Sequence, residues 1–318
     1  MKCFVTGGVG FIGSNLVDRL ITDGNEVTCF DNFSSGQEKF LKDSAYSRSL
    51  HLIKGDLLDP DMIKDSIKGH DIVFHLAANA DVRHGPDHPR KDLEQNTIAT
   101  FNILEGMIKA GIKRIVFSST GSVYGETQVI PTPEDAPFPV QTSLYGASKL
   151  ACEGLISAFC EAFDMKAWIF RFVSITGERY SHGHVFDFCM QLIKDPSQLV
   201  VLGDGSQKKS YLYVRDCING VLMALKKTNE RINIFNLGTD EYIEVKESVR
   251  TIVNALGVNP RITYTGGIRG WIGDNSFIYL DCSKIRKLGW QPELSIRESI
   301  IRTVQYIMQN QWILNSRE

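Results

Sequence analysis

Short apolar runs alternate with amphipathic stretches through the first 172 residues of the 318-residue chain. The apolar runs predict strands at residues 2–6, 26–30, 50–54, 72–76, 114–118 and 167–172. The stretches between them predict helices that include residues 13–23, 61–67, 97–110 and 145–163. Because a strand that follows a crossover helix usually lies parallel to the strand before it, this alternation predicts an α/β fold with a doubly wound parallel sheet.

The pattern becomes less regular after residue 172. It predicts helices at residues 185–194, 215–226, 245–256 and 296–309, and short strands at residues 210–214 and 234–237. We therefore predict a smaller α/β C-terminal domain that packs at the carboxyl ends of the strands, where doubly wound sheets bind ligands. The expected division places residues 1–172 with about 212–240 in the first domain. Residues 173–211 and 241–318 form the second, which binds the substrate.

A glycine-rich segment, VTGGVGFIGSNL, follows the first predicted strand. Gly7, Gly10 and Gly13 lack side chains, so the backbone can approach a pyrophosphate, and the helix that follows directs its N–H groups at the negative charge. Glycines at this spacing also occur in a simple tight turn. The strand before, the helix after and an acid at the end of the second strand favour a dinucleotide site.

That acid is Asp31, in VTCFDNFSSG. Its carboxylate could accept hydrogen bonds from both ribose hydroxyls and would repel a 2′-phosphate, which favours NAD over NADP. Alternatively, Asp31 caps the turn that follows it. Asp56 ends the third strand, and it could face the adenine or cap the next helix.

Tyr145 and Lys149 lie four residues apart in SLYGASK. On a helix they share one face, and the Lys149 ammonium would lower the pKa of the Tyr145 phenol. Tyr145 could then accept a proton from a substrate hydroxyl. Small hydroxyl residues also cluster at residues 118–122, where the fifth strand would open into a cleft.

Together, these motifs closely resemble the extended short-chain dehydrogenase/reductase superfamily, specifically its nucleotide-sugar epimerases and dehydratases. The resembling segments are TGGVGFIG, FDNFSSG, GDLLD, FHLAA, QNTIAT, SSTGSVYGE, YGASK and LGDGSQKKSYLYVRD, which span almost the whole chain. The resemblance implies a Rossmann domain, NAD as the cofactor, a nucleotide-diphosphate sugar as the substrate and a homodimer. The residues that it places at the cofactor are Gly7, Gly10, Phe11, Ile12, Gly13, Asp31, Asn32, Ser35, Gly36, Asp56, Leu57, Leu76, Ala77, Ala78, Asn96, Ser118, Tyr145 and Lys149.

The resemblance also implies that Thr120 assists Tyr145 at the sugar, with Lys149 holding the cofactor ribose. Sugar 4,6-dehydratases of the superfamily follow that threonine with Asp-Glu, and the UDP-glucuronate decarboxylases carry Glu at the second position. This chain has Gly121 and Ser122 there. Neither is an acid or a base, so we expect a 4-epimerase that oxidises and re-reduces one carbinol, most simply on a UDP-hexose.

On the substrate side, Thr120 and Ser122 are expected at the sugar and Lys209 at the diphosphate. Arg269 and Asp274 resemble the R-x-G-D element of the family, and Arg179 is a further candidate. The substrate-binding set is thus Thr120, Ser122, Ser174, Lys209, Arg269 and Asp274.

Two of these expectations leave alternatives. UDP-galactose-type epimerases usually carry Asn where this chain has Ser174, which keeps CDP-sugars open. Arg83 could pair with a sugar carboxylate, although pairing with the nearby Asp87 is favoured.

Three other functions fit the same residues. A nucleotide-sugar reductase or dehydrogenase would use Tyr145, Lys149 and Thr120 for a one-way reaction. A CDP-sugar 2-epimerase is encouraged by Ser174. A catalytically idle NAD-binding protein is disfavoured, because an idle site would not need the three catalytic residue types together.

Composition excludes several partners. A net charge of −2 provides no electrostatic footprint for nucleic acid or an anionic membrane. No apolar run reaches the roughly 18 residues of a membrane span, and the N-terminus lacks a signal-peptide pattern. The seven cysteines occur singly, without C-x-x-C spacing, which is typical of buried free thiols in a reducing cytoplasm and disfavours a metal site.

Overall fold

The largest element of the computed structural model is a seven-stranded parallel sheet. The model describes residues 1–42, 44, 47–79, 85–138, 140–270, 274–275 and 277–315. The strands of the chain are β1 (Lys2–Thr6), β2 (Glu26–Asp31), β3 (Leu50–Lys54), β4 (Ile72–His75), β5 (Arg114–Thr120), β6 (Lys166–Phe172), β7 (Ser174–Thr176), β8 (Gln198–Val201), β9 (Lys208–Lys209), β10 (Tyr211–Tyr213), β11 (Ile232–Leu237), β12 (Ile243–Glu244), β13 (Arg261–Tyr264) and β14 (Phe277–Ile278).

The α-helices are α1 (Phe11–Thr22), α2 (Pro60–Ser66), α3 (Pro89–Asp92), α4 (Ala99–Ala110), α5 (Leu144–Phe163), α6 (His184–Lys194), α7 (Val214–Lys227), α8 (Val245–Leu256), α9 (Ser283–Arg286) and α10 (Ile296–Gln309). Short 3₁₀ segments cover Glu38–Leu41, Gly121–Tyr124 and Gln311–Asn315, and a π-helical segment covers Leu93–Ile98. Within the described ranges, no helix is both long and apolar enough to cross a membrane.

The sheet order is β11-β6-β5-β4-β1-β2-β3, with every neighbouring pair parallel. From β1 the chain moves outward through β2 and β3, and it then returns to build β4 to β6 on the other side. The carboxyl ends of β1 and β4 therefore form the switch point at which such sheets bind ligands. The predicted doubly wound α/β fold is confirmed.

Two apolar clusters cover the two faces of the sheet, because successive strand residues point to opposite sides. In β1, Cys3 and Val5 belong to one cluster and Phe4 to the other. The first cluster is shared with α1, α7 and the C-terminal helices, and the second lies under α2, α4 and α5. All seven cysteines are buried and free, as the sequence predicts.

The predicted strands and helices agree with the structure to within a few residues in the first half of the chain. Sequence patterns missed six short strands: β7, β8, β9, β12, β13 and β14. These strands have two to four residues each and pair within small sheets, β10-β7, β12-β9-β14 and β13-β8. Such short strands depend on pairing with distant segments, so they leave little periodicity in the sequence. The strand β11 joins the large sheet, whereas the division of the chain into two domains stays a prediction.

Candidate active site

The glycine-rich loop packs too tightly for side chains at two positions. Gly7 has φ +68°, and a Cβ there would lie 2.7 Å from the backbone nitrogen of Ala77. A Cβ on Gly13 would lie 2.0 Å from the carbonyl oxygen of Gly7. Gly10 precedes α1 in an extended conformation and has no side chain to cap the helix. The first-turn N–H groups of α1 therefore face the switch point, where a diphosphate would accept them.

Asp31 ends β2 beside this loop, and its two carboxylate oxygens bind different backbone segments. The N–H of Val9, in the glycine-rich loop, donates to Oδ2 over 3.2 Å, and the N–H of Phe33 donates to Oδ1 over 2.8 Å. Burial raises the pKa of the Asp31 carboxyl, and these backbone hydrogen bonds oppose the rise. Asp31 thus caps the turn after β2, the alternative role that its position allowed, and it also holds that turn against the loop.

Asp56 lies next to this turn. It accepts a hydrogen bond from the Asn32 amide over 3.2 Å and another from the N–H of Leu58 over 2.9 Å. The helix α2 is capped instead by Asp59, whose side chain accepts from the N–H of Met62. The prediction that Asp56 caps the next helix is therefore wrong. Its other predicted role, facing the adenine of the cofactor, stays a prediction.

The remaining predicted cofactor residues lie around the same edge of the sheet. A small apolar gap lies between α1, α7 and the ends of β4 to β6, with Ile12, Leu76 and Ser118 in its wall. Phe11, Gly36 and Leu57 are buried, Ala77 and Ala78 are half-buried, and Ser35 is exposed. The N-terminus of α1 and the polar groups at the end of β2 fit the diphosphate and the ribose of a dinucleotide.

Asn96 is buried within the π-helical segment and connects two parts of the site. Its amide oxygen accepts from the N–H of Asn79, and its amide nitrogen donates to the Ser148 hydroxyl, both over 2.8 Å. Ser148 precedes Lys149 on α5. Asn96 therefore links the segment after β4 to the helix that carries the predicted catalytic pair, although sequence alone placed it only at the cofactor.

Thr120, Ser122 and Tyr145 come together in the cleft. The Thr120 hydroxyl lies beside the Tyr145 phenol and acts to lower its pKa, and it donates to the Ser122 hydroxyl over 3.2 Å. Thr120 ends β5, Ser122 lies in the 3₁₀ segment that follows, and Tyr145 lies in the first turn of α5. The structure thus groups hydroxyls from three elements, with no acid contributed at position 121 or 122.

Lys149 is buried behind Tyr145. Its ammonium donates to the Ser118 carbonyl over 2.9 Å and lies 4.6 Å from the centroid of the Phe117 ring. Burial lowers the pKa of Lys149 to about 8. Burial also raises the pKa of Tyr145, with only the Thr120 hydrogen bond opposing it among the neighbouring side chains. The expected lowering of the Tyr145 pKa by Lys149 is therefore not what the structure shows, because desolvation outweighs it.

On the substrate side, the predicted cations already have acidic partners. Lys209 donates to Asp274 over 2.8 Å and to the carbonyl of Asn275 over 2.8 Å. Arg269 pairs with Glu126 on the loop after β5. Half-buried Lys209 and buried Asp274 are brought together as one pair, whereas Arg269 pairs with Glu126 and is exposed.

The other substrate-side candidates are more scattered. Ser174 is exposed at the start of β7, and Arg179 pairs with Asp18 on α1. Arg83 lies outside the described residues. Sequence reasoning missed Thr142, which donates to Asn275 over 2.9 Å and so joins the loop before α5 to the segment beside Lys209. In the part of the chain that the structure describes, no three His, Cys, Asp or Glu residues are grouped to hold a metal.

A doubly wound sheet binds a dinucleotide at its switch point, where a glycine-rich loop precedes a helix. A tyrosine and a lysine beside that site can move the proton of a carbinol while the dinucleotide exchanges the hydride. The fold and the site thus define an NAD-dependent enzyme with a Rossmann-type dinucleotide-binding sheet. Residues 3–238 match the model of the NAD dependent epimerase/dehydratase family. The chain belongs to this family, and its cofactor is NAD.

Known proteins extend the likeness over the whole chain. The UDP-glucose 4-epimerase of Mycolicibacterium smegmatis is 31% identical over 313 residues, which cover 96% of this chain and 98% of that protein. A crystal structure of a UDP-galactose 4-epimerase is similar with a TM-score of 0.88 and 35% identity, covering 98% of this chain and all of that one. The Thermus thermophilus UDP-glucose 4-epimerase in complex with NAD has a TM-score of 0.85 and 28% identity, covering 97% and 99%. The protein is accordingly an epimerase of nucleotide sugars.

Proposed function

We propose that this protein interconverts UDP-hexoses that differ in configuration at C4, through a transient 4-keto sugar. The observation that carries the proposal is the cluster of Thr120, Ser122 and Tyr145 hydroxyls beside Lys149, with Gly121 where a dehydratase-like site would place an acid. Such a site can move one proton at a carbinol, but it offers no second acid or base to expel water or a carboxylate.

The chain's own residues handle the proton. Tyr145 takes the proton of the C4 hydroxyl, and Thr120, which lies beside the phenol, orients that hydroxyl. NAD, when bound, accepts the C4 hydride and returns it. The keto sugar turns over between the two transfers, and Tyr145 gives the proton back, so that no cofactor is consumed.

Lys149 supplies the positive charge that this proton transfer needs. Burial raises the pKa of Tyr145, so the phenolate requires a nearby cation to form near neutral pH. Lys149 is fixed by the Ser118 carbonyl on the same side of the cleft. Its own lowered pKa, about 8, means that the ammonium persists below that pH.

Lys209 and Arg269 are proposed to receive the substrate diphosphate, with Asp274 holding Lys209 in place beside it. In support, Lys209 is half-buried against the buried Asp274, and Arg269 lies on the loop that precedes Asp274. A diphosphate would replace carboxylates as the partner of both cations, because phosphate oxygens accept the same charge-assisted hydrogen bonds.

A homodimer through α4 and α5 and a cytoplasmic location are also proposed. Ile98, Phe101 and Phe163 expose apolar surface along these helices, and the Phe101 and Phe159 rings pack together across them. Seven free cysteines are typical of a reducing compartment.

The test is proton NMR of UDP-galactose and UDP-glucose, with CDP-, GDP- and dTDP-sugars alongside, incubated with purified protein in D2O without added cofactor. We expect UDP-galactose and UDP-glucose to interconvert with no deuterium at C4, because the hydride returns internally. If turnover requires stoichiometric NAD or NADH, the protein is a nucleotide-sugar dehydrogenase or reductase and the epimerase proposal is wrong. Epimerisation of a CDP-sugar at C2 would instead identify a CDP-sugar 2-epimerase, the alternative that Ser174 supports.

A further inference from the structure

A buried ion pair lies behind the predicted catalytic cluster and has no role in proton transfer. Arg171 donates from Nη2 to Glu153 Oε2 over 2.7 Å, and from Nε to both carboxylate oxygens over 3.1 and 3.3 Å. The two side chains are 2% and 5% exposed. Burying two charges costs several kcal/mol in desolvation, so such a pair often serves to define one geometry rather than to add stability.

Glu153 joins the catalytic helix to the catalytic strand. It lies one turn after Lys149 on α5, and residues four apart share a helix face. Its Oε1 accepts a hydrogen bond of 2.5 Å from the Ser119 hydroxyl. Ser119 immediately precedes Thr120 on β5. The carboxylate therefore fixes the end of β5 relative to the helix that carries Tyr145.

Arg171 fixes the other end of the same segment. Its Nη1 donates to the Tyr124 hydroxyl over 2.6 Å and to the Glu134 carbonyl over 2.8 Å. The Tyr124 hydroxyl in turn donates to Asn236 on β11 over 2.9 Å. The guanidinium also lies 4.8 Å from the centroid of the Tyr124 ring.

Thr120 and Ser122 thus lie between two anchored residues. Ser119 is held through Glu153, and Tyr124 is held by Arg171, so one ion pair clamps both ends of a six-residue segment, 119–124. The same carboxylate belongs to the helix of Tyr145 and Lys149.

We propose that Glu153 and Arg171 are positioning residues, which set the distance between the Thr120 hydroxyl and the Tyr145 phenol. The proposal rests on the proposed epimerase function, in which those two hydroxyls meet at C4. A displacement of about 1 Å between reacting groups can lower a rate by about a hundredfold. The pair therefore controls turnover without touching the sugar or NAD.

The test uses Ser119→Ala, which cuts the link to the strand and leaves the ion pair intact. Its matched control is Ser157→Ala, which removes a serine hydroxyl bonded over 2.8 Å to the backbone carbonyl of the same Glu153, one turn further along α5. Glu153→Ala would leave Arg171 buried without its carboxylate and could prevent folding, so it is not the main variant. Tyr124→Phe cuts the other anchor in the same way.

We expect Ser119→Ala to lower kcat for UDP-galactose about tenfold, because a displacement of less than about 1 Å between Thr120 and Tyr145 suffices for such a loss. KM and NAD content should match those of Ser157→Ala. Tm should fall, because a buried hydrogen bond to a charged group is lost, so rates are compared well below both Tm values. Tyr124→Phe should lower kcat in the same direction. A kcat equal to that of Ser157→Ala, or a loss of kcat that follows NAD content, would overturn the proposal.

A crystal structure of each NAD-bound variant provides a readout that does not depend on the substrate. In Ser119→Ala, the Thr120 hydroxyl should shift by more than about 0.5 Å relative to Tyr145, the tolerance of a catalytic geometry. An unmoved Thr120 would overturn the positioning role. If the wild type is inactive on every UDP-hexose but Thr120 shifts in Ser119→Ala, the proposed function is refuted and the positioning role is not.

Discussion

The cofactor side and the substrate side of the cleft are held together by different kinds of contact. On the cofactor side, the contacts are mostly with backbone: Gly7 and Gly13 admit no side chain, and Asp31 binds the N–H groups of Val9 and Phe33. On the substrate side, long cationic side chains are held by acids, as in the pairs of Lys209 with Asp274 and Arg269 with Glu126.

This difference implies two modes of binding. Backbone groups cannot rotate away, so the cofactor side is preorganised and little ordering energy is lost when a dinucleotide binds. In the proposed diphosphate site, Lys209 and Arg269 would exchange a carboxylate for a phosphate, so the new ion pair would largely replace the old one. We therefore expect substitutions on the cofactor side to act steeply, and those on the substrate side to act more gradually.

The steepest expected effect is at the shared centre of the two sides. Tyr145→Phe removes the proton acceptor and should lower kcat by about 10³-fold, within the usual range for general base catalysis. NAD content should be unchanged. Rates come from the NMR assay of UDP-galactose, with the exposed Tyr242→Phe as a control. Activity within tenfold of the wild type would exclude Tyr145 as the base.

On the cofactor side, Gly13→Ala would place a Cβ 2.0 Å from the Gly7 carbonyl oxygen and 2.9 Å from the Gly8 Cα. Overpacking costs about 1–3 kcal/mol, so NAD affinity should fall by about ten- to a hundredfold. Retained NAD is measured after gel filtration. Gly154→Ala, where no atom lies within 4 Å of the new Cβ, is the matched control and should keep its NAD. Full NAD retention by Gly13→Ala would show that the loop can relax.

The buried ammonium on the cofactor side also predicts a pH dependence. Burial lowers the pKa of Lys149 to about 8, so the ammonium that favours the phenolate is lost as the pH rises through that value. The reactive pair, a Tyr145 phenolate beside the Lys149 ammonium, carries one proton fewer than the phenol–ammonium pair, so we expect kcat/KM to rise about tenfold per pH unit below about pH 8 and to level off above it. Lys149→Arg keeps its charge at every pH, so kcat/KM of this variant should show no break near that value and should go on rising as Tyr145 deprotonates. A wild-type profile without a break near pH 8 would separate Lys149 from the proton transfer.

On the substrate side, Lys209→Met should raise KM for UDP-galactose by about tenfold, as expected for one charge-assisted hydrogen bond. NAD content should not change. Lys208→Met is a close control, because Lys208 precedes it on β9 and instead lies over the Tyr242 and Phe277 rings at 5.0 and 5.5 Å. Equal KM values for the two variants would remove Lys209 from the diphosphate site.

The smallest expected effect is that of Ser174→Asn, which restores the amide that is usual in UDP-galactose-type epimerases. An added amide hydrogen bond contributes about 0.5–1.5 kcal/mol, so KM for UDP-galactose should fall by about threefold. The same substitution should raise KM for any CDP-sugar that the wild type accepts. A change of the same direction for both nucleotides would show that Ser174 does not discriminate between bases.

The sequence by itself determined the doubly wound sheet and the grouping of the site. The strands β1 and β3 are the predicted residues 2–6 and 50–54, and the predicted Thr120, Ser122 and Tyr145 meet in the cleft. These features follow from local patterns: apolar periodicity, glycine spacing and residues four apart on a helix. Strand ends at one edge of a parallel sheet then converge without further information.

Only the tertiary structure decided which groups pair and how burial changes their charge. Lys209 meets Asp274 65 residues later, and Arg171 meets Glu153 from another element. The raised pKa of Tyr145 was the opposite of the expected direction, because the desolvation of the phenol outweighs its neighbours. Pairing and desolvation depend on atoms that are distant in the chain and close in space, and no local pattern of residues records that proximity.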